Sequence, residues 1–262
     1  MSTRYLHNTK MVIFSSGDCG TPPVLERSRI GDPAILNGAG IELVVPIPGV
    51  GATYDDHHVF SVPYRSDLTT RETPDGWNGF EITGKLRPNA SDVAALGHDF
   101  EAEGSQTFGS YPNKPMIGLT LIAGNAPDPW KAPVGQYFSN SIFNMYPSSH
   151  GHIHVTGPSL DDRLDFDPGV FTDNAGVDIK KCIWGYKAKR EIARRMSVYR
   201  GELAVSHPES ATDSKAACVE LHGSPALNLK SIGYTAEDDA AIEEWIRSNI
   251  GTAVALLRNM RY

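Results

Sequence analysis

The period of the apolar positions changes several times along this chain, and each change marks an element. "KMVIFSSG" holds the apolar run Met11 to Phe14, which predicts a buried strand, and the small residues at its end let another backbone or a ligand approach closely. "TPPVLERSRIG" sets Pro22 and Pro23 near a helix start, where proline is tolerated, with Thr21 as N-cap. "IELVVPIPGVG" predicts a second short strand closed by a proline–glycine turn. From Ser66 to Ala132 the chain is turn-rich, with modest strands such as "MIGLTLIAG". "QYFSNSIFNMYP" and "GHIHVTG" predict two strands joined by a turn into an antiparallel pair. "PSLDDRLDFDPGVFTDNAG", which follows, is acidic and turn-forming.

Two later stretches switch to helical spacing. Between Asp178 and Tyr199 the apolar residues fall at Ile179, Ile183, Tyr186, Ile192 and Met196. "TAEDDAAIEEWIRSNI" is a second helix, with Thr235 able to cap it and Glu237 and Asp238 favouring its first turn.

Composition narrows the partners. At 262 residues the chain suits one large domain or two small ones, and 40% apolar with 21% charged residues is ordinary for a globular protein. A net charge of −7 argues against a nucleic-acid backbone as partner. The densest basic run, "KAKREIARR", is broken at helical period by apolar residues and reads as a solvated helix face. Three cysteines without a CxxC pair argue against a disulfide framework or a structural zinc site. No secretory h-region and no span of ~20 apolar residues is present, so a cytoplasmic protein with no membrane partner is expected.

His150, His152 and His154 raise the chemistry. Period-two alternation sets all three on one face of a strand, with Ile153 and Val155 on the other. That geometry suits a metal ligand set, a catalytic face or simply a histidine-rich strand, and spacing alone does not choose among them.

The order of motifs does more. "GDCGTPPVLERSRIG", "PGVGATYDDHH", "GHIHVTGPSLDDRLDFDPGVF" and "DDAAIEEWIRSNIGT" follow one another as in the C-terminal half of the glucose–methanol–choline (GMC) flavoprotein oxidoreductases. Within them the chain most resembles the fungal alcohol (methanol) oxidase branch. The resemblance implies an α+β fold: a mixed, largely antiparallel sheet of about six strands, with helices near 178–199 and 236–250 on one face. It also implies a remnant of the FAD domain over residues 1–60 and a substrate-binding-like domain over 61–262. The histidine strand becomes a lineage feature, with His150 where the branch carries arginine, and no metal is expected.

Departures from the family pattern bear on function. FAD is held in the family by a strand, a G-x-G-x-x-G turn and a helix N-terminus. This sequence supplies no such unit, so a truncated relative binding no cofactor is expected, with FAD only if a partner chain completes the site. Ala255 stands where the family places its catalytic histidine. Asp18 and Thr53 replace flavin-facing residues, Asp55 replaces a glutamine, and Arg29 replaces a glycine. The vacated pocket implies a small apolar ligand and a non-redox reaction (cyclisation, isomerisation or dehydration). His58 with Asp55 are the acid–base candidates, with His57 read as a structural histidine holding the turn. Asp18, Arg29, Trp77, Asn78 and His150 are the binding candidates, Arg29 or His150 polarising a carbonyl. The competing readings are one subunit of a split FAD-dependent alcohol oxidase, and an inactive relic or interaction protein. The former FAD-domain interface would serve a homo-oligomer.

Overall fold

The computed structural model describes residues 10–68, 82–108, 111, 113–123 and 135–252. Along them run α1 (Thr21–Arg27), β1 (Ile30–Gly31), α2 (Pro33–Gly38), β2 (Val45–Pro46), β3 (His58–Ser66), β4 (Ile82–Leu86), α3 (Ala90–Leu96), α4 (His98–Phe108), β5 (Ile117–Ala123) and β6 (Tyr137–Asn144). The order continues with β7 (His152–Val155), β8 (Leu164–Asp167), α5 (Val177–Arg194), β9 (Tyr199–Glu202), α6 (Ala236–Asn249) and β10 (Gly251–Thr252). The chain forms two compact units, one of residues 1–55 with 149–172 and the other of 56–148 with 173–262. The sequence divides once, near residue 60; the contacts also carry a segment from mid-chain into the first unit.

The second unit holds a six-stranded antiparallel sheet in the order β10-β3-β6-β5-β4, with β9 also paired to β3. This is the expected α+β sheet. Its register sorts the residues by face. Phe60 lies opposite Ile142, and Leu119 opposite Ile142 on the other side, so these share a face with their alternate neighbours. Both long helices pack there. Gly185 lets the α5 backbone close on Ile142 and Ile117, since a Cβ at that position would sit 3.3 Å from the Ile142 Cγ2. Trp245 of α6 meets Phe60 edge-on at 5.9 Å and Tyr186 of α5 at 6.2 Å. Thr235 caps α6 as expected, and the cap is reciprocal: Asp238 N–H donates to the Thr235 hydroxyl at 3.2 Å, and Thr235 N–H to the Asp238 carboxylate at 2.9 Å.

Four details differ from the sequence reading. Met11 to Phe14 is irregular and exposed, Ile13 by 78%, because an apolar run records a capacity for burial without supplying what covers it. The first helix is capped at Gly20, and the Thr21 hydroxyl instead accepts from Ser16 N–H at 3.1 Å. The strands β6 and β7 do not pair with each other. β6 is buried at nearly every position and takes a neighbour on each edge, β3 and β5, while β7 pairs with β8 from the acidic stretch read as turn. Finally, the basic run is not all solvated: Lys189 and Arg190 are buried, and Lys189 donates to the Ser141 carbonyl.

Burial of charge organises the rest of this core. Arg190 donates to Glu202 at 2.9 Å and to the Ala216 carbonyl at 2.8 Å, and Val219 N–H completes the carboxylate at 3.0 Å. His207 donates through Nε2 to the Pro63 carbonyl at 2.9 Å and accepts the Tyr186 hydroxyl at Nδ1, 3.0 Å away. Its neutral form is thereby satisfied, and burial lowers its pKa to about 4, against the opposing pull of Glu202. The folded chain resists a proton that the unfolded chain takes up near pH 6.5. Stability should therefore be full above pH 6.5 and fall by roughly 3 kcal/mol as pH drops to about 4. Thermal melts across that range check this, and a His207→Gln variant should flatten the slope.

The first unit is smaller. β1 and β2 form a short parallel pair, β7 and β8 an antiparallel one, and Leu36, Ala39, Ile41 and Val155 make a core beneath α2. Asp32 caps α2, its carboxylate accepting Ala34 N–H at 2.7 Å, and Pro33 opens the helix. Among the described residues no helix is long and apolar enough to cross a membrane.

Candidate functional site

The three alternating histidines each meet a different carboxylate. His150 Nδ1 donates to Asp55 at 2.5 Å, and both side chains are exposed. His152 lies 3.4 Å from Asp165 on the neighbouring strand. His154 is buried and donates to Glu26 of α1 at 2.6 Å, while the same carboxylate accepts Val155 N–H at 2.7 Å. The rings of His152 and His154 stack, 5.5 Å apart. Alternation is what permits this, because it aims successive imidazoles along one face. Three separate acid partners make that face a structural seam joining α1, the turn at Asp55 and β8 to β7.

Other candidates in this unit are also tied to scaffold. Arg29 has a left-handed backbone (φ 72°), the region that favours glycine. Its guanidinium pairs with Glu42 and donates to the Glu42 carbonyl at 3.0 Å. Asp18, in a turn, and Thr53, just after one, are exposed. Trp77, Asn78 and Ala255 lie outside the described residues.

FAD, implied by the resemblance, can be tested against the described residues. They contain one parallel ladder of two residues per strand, and no strand–glycine turn–helix unit to present backbone N–H groups to a pyrophosphate. The Gly49–Gly51 turn closes on β7 instead: Ile153 N–H donates to the Gly51 carbonyl at 2.9 Å, and a Cβ at Gly51 would collide with the Ile153 carbonyl.

In the second unit the adjacent histidines His57 and His58 part company. His58, 1% exposed, begins β3 on the face of Phe60, Val62 and Tyr64, beneath α5. Burial lowers its pKa, which the charge of Asp178 partly offsets. Its expected partner Asp55 is held by His150 in the other unit. His57 instead lines a recess of about 230 Å³ with Thr83, Lys85, Thr120, Phe143 and Met145. The recess opens on the sheet face opposite α5, because Thr83 pairs with Thr120 and Lys85 with Gly118, one register step from the helix-facing Leu119. Gly118 leaves the floor open beside Phe143 and Met145. His57 Nδ1 donates to the Asn144 carbonyl at 3.1 Å, which fixes the neutral tautomer and leaves Nε2 as the acceptor. The sequence contained this division. His58 shares parity with the bulky Phe60, Val62 and Tyr64, which mark the covered face. The cysteines offer no nucleophile here: burial pushes the Cys182 thiol far up and Cys218 to about 11.

No protein-family model matches the chain. Alcohol oxidase 1 of Komagataella phaffii is 31% identical to it, over 93% of this chain and 46% of that protein. Alcohol oxidase of Candida boidinii is 29% identical over the same shares. Among solved structures, formate oxidase matches 89% of this chain and 41% of its own at a TM-score of 0.61 with 15% identity. Pyridoxine 4-oxidase from Mesorbium loti matches 91% and 38%, with a TM-score of 0.57 and 20% identity. The chain spans about half the length of the curated relatives it matches. Sequence similarity across nearly the whole chain and the shared fold agree with the motif order read above, and the chain belongs to the GMC oxidoreductases, in the alcohol oxidase branch.

Proposed function

We propose that this chain binds a small, largely apolar molecule in the recess on the open face of the sheet and acts on it by acid–base rather than redox chemistry. One observation carries the reading: the His57 imidazole, its Nδ1–H committed to the Asn144 carbonyl, lines an apolar-floored recess with Nε2 ready to accept a proton. Phe143 and Met145 supply the apolar wall, and Thr83, Lys85 and Thr120 the few polar groups that orient a ligand. Cyclisation, isomerisation and dehydration are within reach of such a site, since each needs a held conformation and one moved proton.

The test is the visible spectrum of the purified chain, with melting curves in the presence and absence of FAD. A colourless protein that FAD does not stabilise is the expected result. Flavin bands near one per chain would overturn the reading.

A second reading has its own support. Met11, Val12 and Ile13, and Leu43, Val44, Val45 and Ile47, are exposed in the first unit, and the chain spans about half the length of its relatives. A polypeptide carrying a nucleotide-binding unit would cover such segments and make an oxidase of two chains. Flavin bands appearing only after a partner co-purifies would favour it.

A further inference from the structure

The proposed recess has a charge preference, and we propose that its ligand is an anion: a small apolar molecule bearing a carboxylate or an enolate. This rests on the binding reading above and deepens it. Thr120 Oγ1 is buried and has no hydrogen-bond partner among the described residues, so it is a polar atom that a ligand would satisfy. The register sets Thr83 directly opposite Thr120 and Lys85 opposite Gly118, so two hydroxyls and one ammonium share one patch of sheet face. Among the described residues no acidic side chain lines the recess. His57 adds an acceptor at Nε2 in its neutral form and a second donor once it gains a proton.

These groups discriminate by charge. A cationic ligand would meet Lys85 with no acid among the described lining residues to balance it. A neutral polyol would need more polar partners than two threonines and an imidazole supply. A carboxylate takes hydrogen bonds from Lys85 and Thr120 while its apolar body lies against Phe143 and Met145. The chain as a whole is acidic at −7, so its overall field repels an anion and the preference must come from this local patch. Lys85 is exposed, so salt will weaken the interaction. It also lies on β4, an edge strand, where lysine alone would discourage strand addition, and the experiment must separate the two roles.

The experiment compares benzoate with its neutral isostere benzamide on the full 262-residue chain, following the His57 ring signals by NMR titration. Benzoate should bind about tenfold more tightly, the scale of one charge-assisted hydrogen bond. The preference should shrink in 0.5 M salt and vanish in Lys85→Met, an exposed position whose melting curve should stay unchanged. Thr120→Val should weaken benzoate more than benzamide and gives a second variant if the first fails to fold. Equal affinity for the two probes would overturn the anion inference while leaving the recess as a binding place. His57 signals unmoved by either probe at millimolar concentration would overturn both. A preference that survives in Lys85→Met and Thr120→Val alike would assign lysine to edge protection and refute the inference.

Discussion

Replacing Glu26 by alanine should destabilise the first unit by roughly 3–5 kcal/mol, the scale for stranding two buried donors of a carboxylate. The carboxylate is fully buried and serves β7 twice, through the His154 imidazole at 2.6 Å and the Val155 amide at 2.7 Å. Its loss leaves a buried imidazole N–H and a buried backbone N–H without their acceptor. Among the described residues the core it supports is small, made of Leu36, Ala39, Ile41 and Val155, so little apolar burial compensates. Hydrogen exchange at the Val155 amide reads this directly: protection should fall by several hundredfold in Glu26→Ala. Glu26→Gln should lose less, because the side-chain oxygen still accepts one of the two donors. A loss under 1 kcal/mol in the alanine variant would show that the strand is held by something else.

That carboxylate also marks where sequence reasoning stops. In "VLERSRIG" the glutamate sits between apolar and basic residues as it would on any solvated helix, and nothing local says that a strand 128 residues later covers it. The same holds for Lys189 and Arg190, read as surface and found inside, since burial of a charge depends on partners such as Glu202 that only the fold brings near. What could be read was what is local or inherited as a pattern. The capping box at Thr235 lies within four residues, and the six-stranded sheet came with the motif order of the family. Strand pairing was misjudged where neighbours in sequence were taken as neighbours in space. β8 was hidden because Leu164 and Phe166 alternate with aspartates that look like turn formers. The proposed acid–base residue differs by one position from the candidate read in the sequence, for a related reason. A single step along a strand reverses the face, which put His58 under α5 and His57 on the recess.

The face that holds His58 depends on a second buried carboxylate, and removing it should be the most damaging change in the sheet unit. Asp178, at the start of α5, accepts Asn144 Nδ2 at 2.8 Å, Ser148 N–H at 2.9 Å and Lys181 Nζ at 2.9 Å. It thus ties the end of β6 and the loop after it to the helix that covers the sheet. Asp178→Ala leaves the Lys181 ammonium buried with its carboxylate acceptor gone and the Tyr146 carbonyl at 2.8 Å still in place, and should cost roughly 3–5 kcal/mol. Urea unfolding followed by the fluorescence of Trp184 and Trp245 measures it, since both lie on helices of this unit. The double variant Asp178→Ala/Lys181→Met should recover part of the loss, because the stranded charge goes with its partner. Asn144 carries the consequence to the recess. Its side chain is held by Asp178 and its carbonyl receives His57 Nδ1–H, so loosening one loosens the tautomer the other fixes. In Asp178→Ala the His57 ring signals should therefore broaden or shift under native conditions. If they stay unchanged while stability falls, the hub supports the sheet without positioning the imidazole.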